Sequence, residues 1–130
     1  MQAKSRQVVR ADKAPKPIGP YSVGILHGDL VFASGMLGLD PQTGELAPGG
    51  VEAETRQSLK NLSAILEAAG SSMSLVLKTT VFLRDMAEFP KMNAVYAEFF
   101  PAEPPARSTV QVAALPKGAA VEIEAVAALQ

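Results

Sequence analysis

One long amphipathic stripe constrains this chain more than anything else in it. Leu59, Leu62, Ile65, Leu66 and Ala69 recur at helical spacing. A helix that starts near Val51 therefore presents one apolar face and must bury it. Glu52 and Glu54 fall in its first turn, where negative charge suits the helix dipole. Gly70 follows as the residue that ends it. The stripe is core rather than a cofactor-binding face. Most of the remaining chain is written at period two, the spacing of strands, so this helix needs a sheet to lie on.

The strands read as follows. Residues 6–10, around Val8 and Val9, form a short edge strand. Ala11 to Pro20 holds three prolines and a glycine in ten residues, an extended loop that delivers Tyr21 to a fixed place. Ser22 to His27 and Leu30 to Ser34 are joined by His27-Gly28-Asp29 in a tight hairpin, with His27 solvated at the turn. Gly35, in Ser34-Gly35-Met36, lets another backbone or a ligand come close. A surface loop runs from Asp40-Pro41-Gln42-Thr43-Gly44 to Pro48-Gly49-Gly50. Leu75 to Arg84 is a long strand rich in β-branched residues.

Lys91 to Phe100 is a second helix, with Met92, Val95, Tyr96 and Phe99 inward and Pro101 closing it. Asn93 lies off that stripe, either solvated or hydrogen-bonded into a site. Two further strands, Pro105 to Val112 and Val121 to Ala125, read as a hairpin around Leu115-Pro116-Lys117-Gly118-Ala119.

The order predicts an α+β sandwich, a mixed six-stranded sheet with two helices on one face. The other face is then uncovered, yet the strands carry apolar residues in both parities. Such a face favours self-association with closed cyclic symmetry. The 130 residues fit one domain.

Composition removes several function classes. The net charge of -1 supplies no excess of cations to displace counterions from nucleic acid, and 5% aromatics without Trp make a poor base-stacking platform. With no cysteine and a single histidine, disulfides, thiolate catalysis and a histidine metal cluster are excluded. No apolar run is long enough to span a membrane, and the N-terminus leads into no signal-like apolar segment. A cytoplasmic protein is the expectation.

Arg107 is then the residue of interest. It begins a strand directly after a stiff Pro104-Pro105-Ala106 segment, and its planar five-donor fork suits a carboxylate. In the predicted hairpin, Glu122 or Glu124 lies across from it. The plain reading of that pair is a cross-strand ion pair worth about 0.2–1 kcal/mol.

An ordered set of stretches gives a sharper reading. Ile18-Gly19-Pro20-Tyr21-Ser22, Ser34-Gly35, Asp40-Pro41-Gln42-Thr43-Gly44 and Lys78-Thr79-Thr80-Val81-Phe82 come first. Asn93 with Tyr96 and Phe99-Phe100, Pro105-Ala106-Arg107-Ser108, Leu115-Pro116-Lys117-Gly118 and Val121-Glu122-Ile123-Glu124-Ala125 follow. From about residue 8 to the end, the chain resembles the RidA/YjgF reactive intermediate deaminases, also called the L-PSP endoribonuclease family.

The resemblance implies one RidA-like domain over residues 1–130, a chorismate-mutase-like fold and a homotrimer with ligand clefts between adjacent subunits. It implies hydrolysis of enamine and imine intermediates, such as 2-aminoacrylate leaking from pyridoxal-phosphate enzymes, to 2-oxo acids and ammonia. Arg107 is then the carboxylate anchor and Glu122 the group that holds or polarises water. Tyr21, Ser34, Gly35 and Asn93 line the cleft, with Thr109 beside Arg107; Lys78 receives no role. This chemistry requires no metal, no cofactor and no covalent nucleophile.

Two residues depart from the family pattern: Thr109 stands where many members carry Cys, and Met36 where many carry Gln. Met36 cannot reproduce an amide's hydrogen bonds. Competing expectations are a non-catalytic sensor of small 2-oxo acids in the same cleft, a ribonuclease, and a chaperone acting through exposed apolar surface.

Overall fold

The computed structural model describes residues 3–130. Its regular elements are, in order, β1 (Ala3–Val9), β2 (Gly24–Gly28), β3 (Leu30–Leu37), α1 (Gly50–Ala68), β4 (Val76–Leu83), α2 (Phe89–Phe99), β5 (Ala106–Gln111) and β6 (Val121–Ala128). The strands form one six-stranded sheet in the order β1-β2-β3-β6-β4-β5. All pairings are antiparallel except β4 with β5. Both helices cover one face, as the pattern predicts.

Burial explains this order. In β6, Val121, Ile123, Ala125 and Ala127 are all buried, which requires a neighbour on each side and helices above. They meet Leu59, Leu62, Ile65 and Leu66 of α1, none of which is exposed. Each such side chain contributes about 1.5–3 kcal/mol when fully buried. β5 has no fully buried residue, so it takes the sheet edge.

The predicted hairpin between Pro105–Val112 and Val121–Ala125 therefore does not form. β4 lies between the two strands, parallel to β5 and antiparallel to β6. The connector 112–120 exceeds the roughly two to five residues of ordinary hairpin loops. It crosses the end of the sheet instead, where Lys117 donates from Nζ to the Gly44 carbonyl at 2.9 Å. The second helix also starts earlier than predicted, at Phe89. Pro90 sits in its first turn, where a missing N–H costs nothing.

Polar side chains on α1 fix the end of β3. The ladder from β3 to β6 is irregular between Ala33 and Met36, leaving carbonyls that need partners. Ser58 donates to the Met36 carbonyl at 2.7 Å, and Asn61 Nδ2 donates to the carbonyls of Leu37 and Leu39 at 3.1 and 2.9 Å. Glu54 is buried, and its Oε1 accepts the Ala120 N–H at 2.8 Å.

Gly38 makes this contact possible. A Cβ there would lie 2.6 Å from the Glu54 Cα and closer still to its carbonyl oxygen. Backbone cannot yield as a side-chain tip can, so Gly38→Ala is expected to cost roughly 1–3 kcal/mol. A urea titration would show this as a lower midpoint with an unchanged slope.

The face opposite the helices stays open. Phe32 is 43% exposed and Val110 41%. By register and alternation, Phe82, Glu122, Glu124 and Val126 share that face with them. Among the described residues, no helix is long and apolar enough to cross a membrane.

Candidate active site

Two groups of candidate residues gather in two different cavities. The first cavity, about 420 Å³, opens on the uncovered sheet face and is lined by Tyr21, Ser34, Gly35, Phe82, Glu122 and Glu124. The loop 11–20 delivers Tyr21, whose hydroxyl accepts the Ile18 N–H at 3.4 Å. Ser34 donates its hydroxyl to the Ser22 carbonyl at 2.6 Å, which leaves the oxygen's lone pairs free to accept.

Glu122 projects into this cavity half-buried, with its side chain lying over Gly35. A Cβ at Gly35 would sit 2.8 Å from the Glu122 Cδ and 3.2 Å from Oε2. The close approach anticipated at this glycine is thus made by the carboxylate itself. Burial raises the Glu122 pKa above the ordinary carboxylate range, and the negative charge of Glu124 raises it further. Within one chain desolvation is the larger of the two causes.

The second cavity, about 410 Å³, lies on the helix side of the sheet edge and is lined by Asn93, Tyr96, Phe100, Pro105 and Arg107. The Arg107 Cζ stands 4.7 Å from the centre of the Tyr96 ring and 5.4 Å from that of Phe89. The Tyr96 hydroxyl is hydrogen-bonded to Thr79 Oγ1 at 2.7 Å. Thr109 follows Arg107 on the same side of β5, and its Oγ1 is shielded without a hydrogen-bond partner.

The two groups cannot meet within one chain. Arg107 pairs with Thr79, and Thr79 with Ala125, all on the helix face. Glu122 and Glu124 occupy the alternate positions of β6 and point the other way. Two strand spacings, about 10 Å, also separate β5 from β6. Among the described residues, Arg107 forms no ion pair with a carboxylate, so the cross-strand pairing expected from the hairpin is absent.

Of the remaining candidates, His27 is exposed at its turn. Met36 pairs with Ile123 and packs into the core. Among the described residues, no group of three or more His, Cys, Asp or Glu is placed to hold a metal ion. Sequence reasoning missed the Thr79–Tyr96 bond and the Phe89 contact. The available signal was a threonine on the core parity of β4 and a tyrosine among inward-facing apolar residues, since buried hydroxyls need partners.

The chain is similar to proteins of known sequence and structure over nearly its whole length. Residues 11–129 match the family model described as Endoribonuclease L-PSP. The chain is 52% identical over 124 residues to Reactive Intermediate Deaminase A, chloroplastic, of Arabidopsis thaliana, covering 95% of this chain and 66% of that one. It is 49% identical over 127 residues to the 2-iminobutanoate/2-iminopropanoate deaminase of Mus musculus, covering 98% and 94%. The structure of E. coli TdcF with bound serine superimposes with a TM-score of 0.91 at 44% identity, covering 95% and 99%. The two-helix, six-stranded fold, the ordered motifs and relatives at about half identity over nearly the whole of this chain agree: this chain belongs to the RidA/YjgF family.

Proposed function

We propose that this protein hydrolyses reactive 2-imino acids, and the enamines in equilibrium with them, to 2-oxo acids and ammonia. The clefts for this reaction are completed between copies of the chain in a cyclic homotrimer. One observation carries the reading: a carboxylate with a raised pKa and a guanidinium with no carboxylate partner among the described residues are built onto opposite faces of one sheet. Each cavity holds half of what the reaction needs. The open apolar face around Phe32 and Val110 supports association that brings one copy's Arg107 to the next copy's Glu122.

In that cleft Arg107 binds the substrate carboxylate through its two-pronged fork, with Asn93 and Thr109 beside it. Tyr21, Ser34 and Gly35 line the opposite wall. Water adds to the carbon of the protonated imine while Glu122 accepts one of its protons, giving a neutral carbinolamine. Glu122 then returns that proton to the amino nitrogen, which becomes an ammonium leaving group. The C–N bond breaks as Glu122 takes the hydroxyl proton, ammonia and the 2-oxo acid leave, and Glu122 releases its proton to solvent. A carboxylate held within reach of both the water and the carbinolamine nitrogen serves both proton transfers. Holding an already reactive imine against a positioned water converts a bimolecular step into an effectively unimolecular one.

The names of the plant and mouse relatives support the substrate class. Release of 2-oxo acid from an imine generated in situ by an amino acid oxidase or a threonine dehydratase tests the reading. Light scattering reports the assembly, and a monomer at micromolar concentration would overturn the shared cleft. Ligand-dependent thermal stabilisation without turnover would replace the deaminase by a 2-oxo acid sensor. We place the protein in the cytoplasm.

The Glu122 environment makes a separate prediction. A neighbour's Arg107 pulls the Glu122 pKa back down, so the effect is read in an Arg107→Ala background. There the folded-state pKa stands above the unfolded one. The stability this group contributes is complete below the unfolded carboxylate pKa and is lost as pH rises through the folded value. Adding Glu122→Gln should raise Tm at pH 7 by about 1–3 °C, and the gain should vanish near pH 4. Melting curves at both pH values decide it.

A further inference from the structure

Arg107 stands at a sheet edge on a long side chain, and among the described residues no carboxylate fixes it. A carboxylate anchor works only if its fork is held in one plane. The rings of Tyr96 and Phe89 hold a guanidinium by contact with their π-faces. Tyr96 is itself held on two sides: its ring packs against Phe100 at 4.7 Å between centres, and its hydroxyl bonds Thr79 Oγ1 at 2.7 Å.

Thr79 is completely buried, and it is the residue paired with Arg107 across the β4–β5 ladder. The connections close a ring: from the Arg107 backbone to Thr79 through the ladder, from the Thr79 hydroxyl to Tyr96, and from the Tyr96 ring back to the guanidinium.

We propose that the Thr79–Tyr96 pair is the positioning device for Arg107, setting the plane of the guanidinium before substrate arrives. Thr79 and Tyr96 are positioning residues, acting through Arg107. The proposal rests on the reading of Arg107 as the carboxylate anchor. It accounts for a hydroxyl on the core face of β4, where an aliphatic side chain would otherwise fit. It also accounts for tyrosine rather than phenylalanine at 96, since the ring alone would supply the stacking.

Steady-state kinetics on the in situ imine test the pair, with melting curves alongside. Tyr96→Phe keeps the ring and removes the hydroxyl. It should raise KM roughly five- to tenfold with kcat within about twofold, because a carboxylate contact is made equally in ground and transition states. Thr79→Val should do the same, whereas Thr79→Ser should behave as wild type. Thr79→Val combined with Tyr96→Phe should be no worse than Tyr96→Phe alone. In an Arg107→Lys background, Tyr96→Phe should leave KM unchanged.

Unchanged KM in Tyr96→Phe, with Arg107→Ala inactive, overturns the positioning role and leaves the anchor standing. Full activity in Arg107→Ala overturns the anchor and, with it, this proposal. Losses of kcat and Tm together that Thr79→Ser does not restore assign the pair to folding alone and overturn the proposal. If Tyr96→Phe does not fold, the contrast between Thr79→Ser and Thr79→Val decides it.

Discussion

Arg107→Ala should lower kcat/KM for 2-oxo acid release by roughly 10²–10³-fold, the loss expected when one partner of a desolvated charge pair is removed. Arg107 sits on the edge strand with its guanidinium over two rings and, among the described residues, no carboxylate beside it. The free charge is therefore available to substrate and contributes little to holding the chain together. Melting should shift by only a degree or two, so a large kinetic loss would report the site rather than the fold. Arg107→Lys separates charge from shape: it keeps the cation and loses the fork, and should fall between wild type and alanine. The 2-imino acid hydrolyses in water unaided, so the alanine variant should approach the background rate and not zero. Activity within threefold of wild type would remove Arg107 from the site.

What could be read in the sequence, and what could not, divides along physical lines. Periodicity located α1, the β2–β3 hairpin and β4, because each buries a face against a neighbour and its side chains must keep that rhythm. Periodicity also showed that both faces of the sheet carry apolar residues. It could not show that β5 and β6 are two strands apart, because period two is the same whichever strand lies alongside. Proximity in sequence, Pro116 and Gly118 made a hairpin look natural. The decisive signals were quieter: a connector too long for a hairpin, and a β6 whose alternate residues are all apolar and small enough for the centre of a sheet.

The same limit hid the seam on α1. Glu54, Ser58 and Asn61 bond carbonyls and an N–H near a ladder irregularity, and irregularities have no periodicity to reveal them. Arg107, Glu122, Tyr21, Ser34, Gly35 and Asn93 were recognisable as site candidates by resemblance. Their division between two sheet faces was not, since it depends on strand order. That division puts on opposite faces of the sheet the residues that a hairpin would have paired.

Two inactive variants should therefore repair each other. Glu122→Gln keeps the shape of the side chain and removes the base, and should cost roughly 10²–10⁴-fold in kcat. If a cleft draws Arg107 from one copy and Glu122 from the next, a trimer mixing Arg107→Ala chains with Glu122→Gln chains contains some clefts with both native residues. In an equal, random mixture each cleft has one chance in two of a native Arg107 and, independently, one in two of a native Glu122. About a quarter of the clefts are then intact, and about a quarter of wild-type activity should return. Co-refolding the two chains from denaturant with different tags, and confirming mixed trimers by native mass spectrometry, makes the comparison clean. If both residues served from the same chain, every cleft in the mixture would carry one defect and the activity would stay at that of the parents. Recovery near a quarter would join the two halves across the subunit boundary; none, in verified mixed trimers, would return the chemistry to one face of the sheet and exclude Arg107 or Glu122 from it.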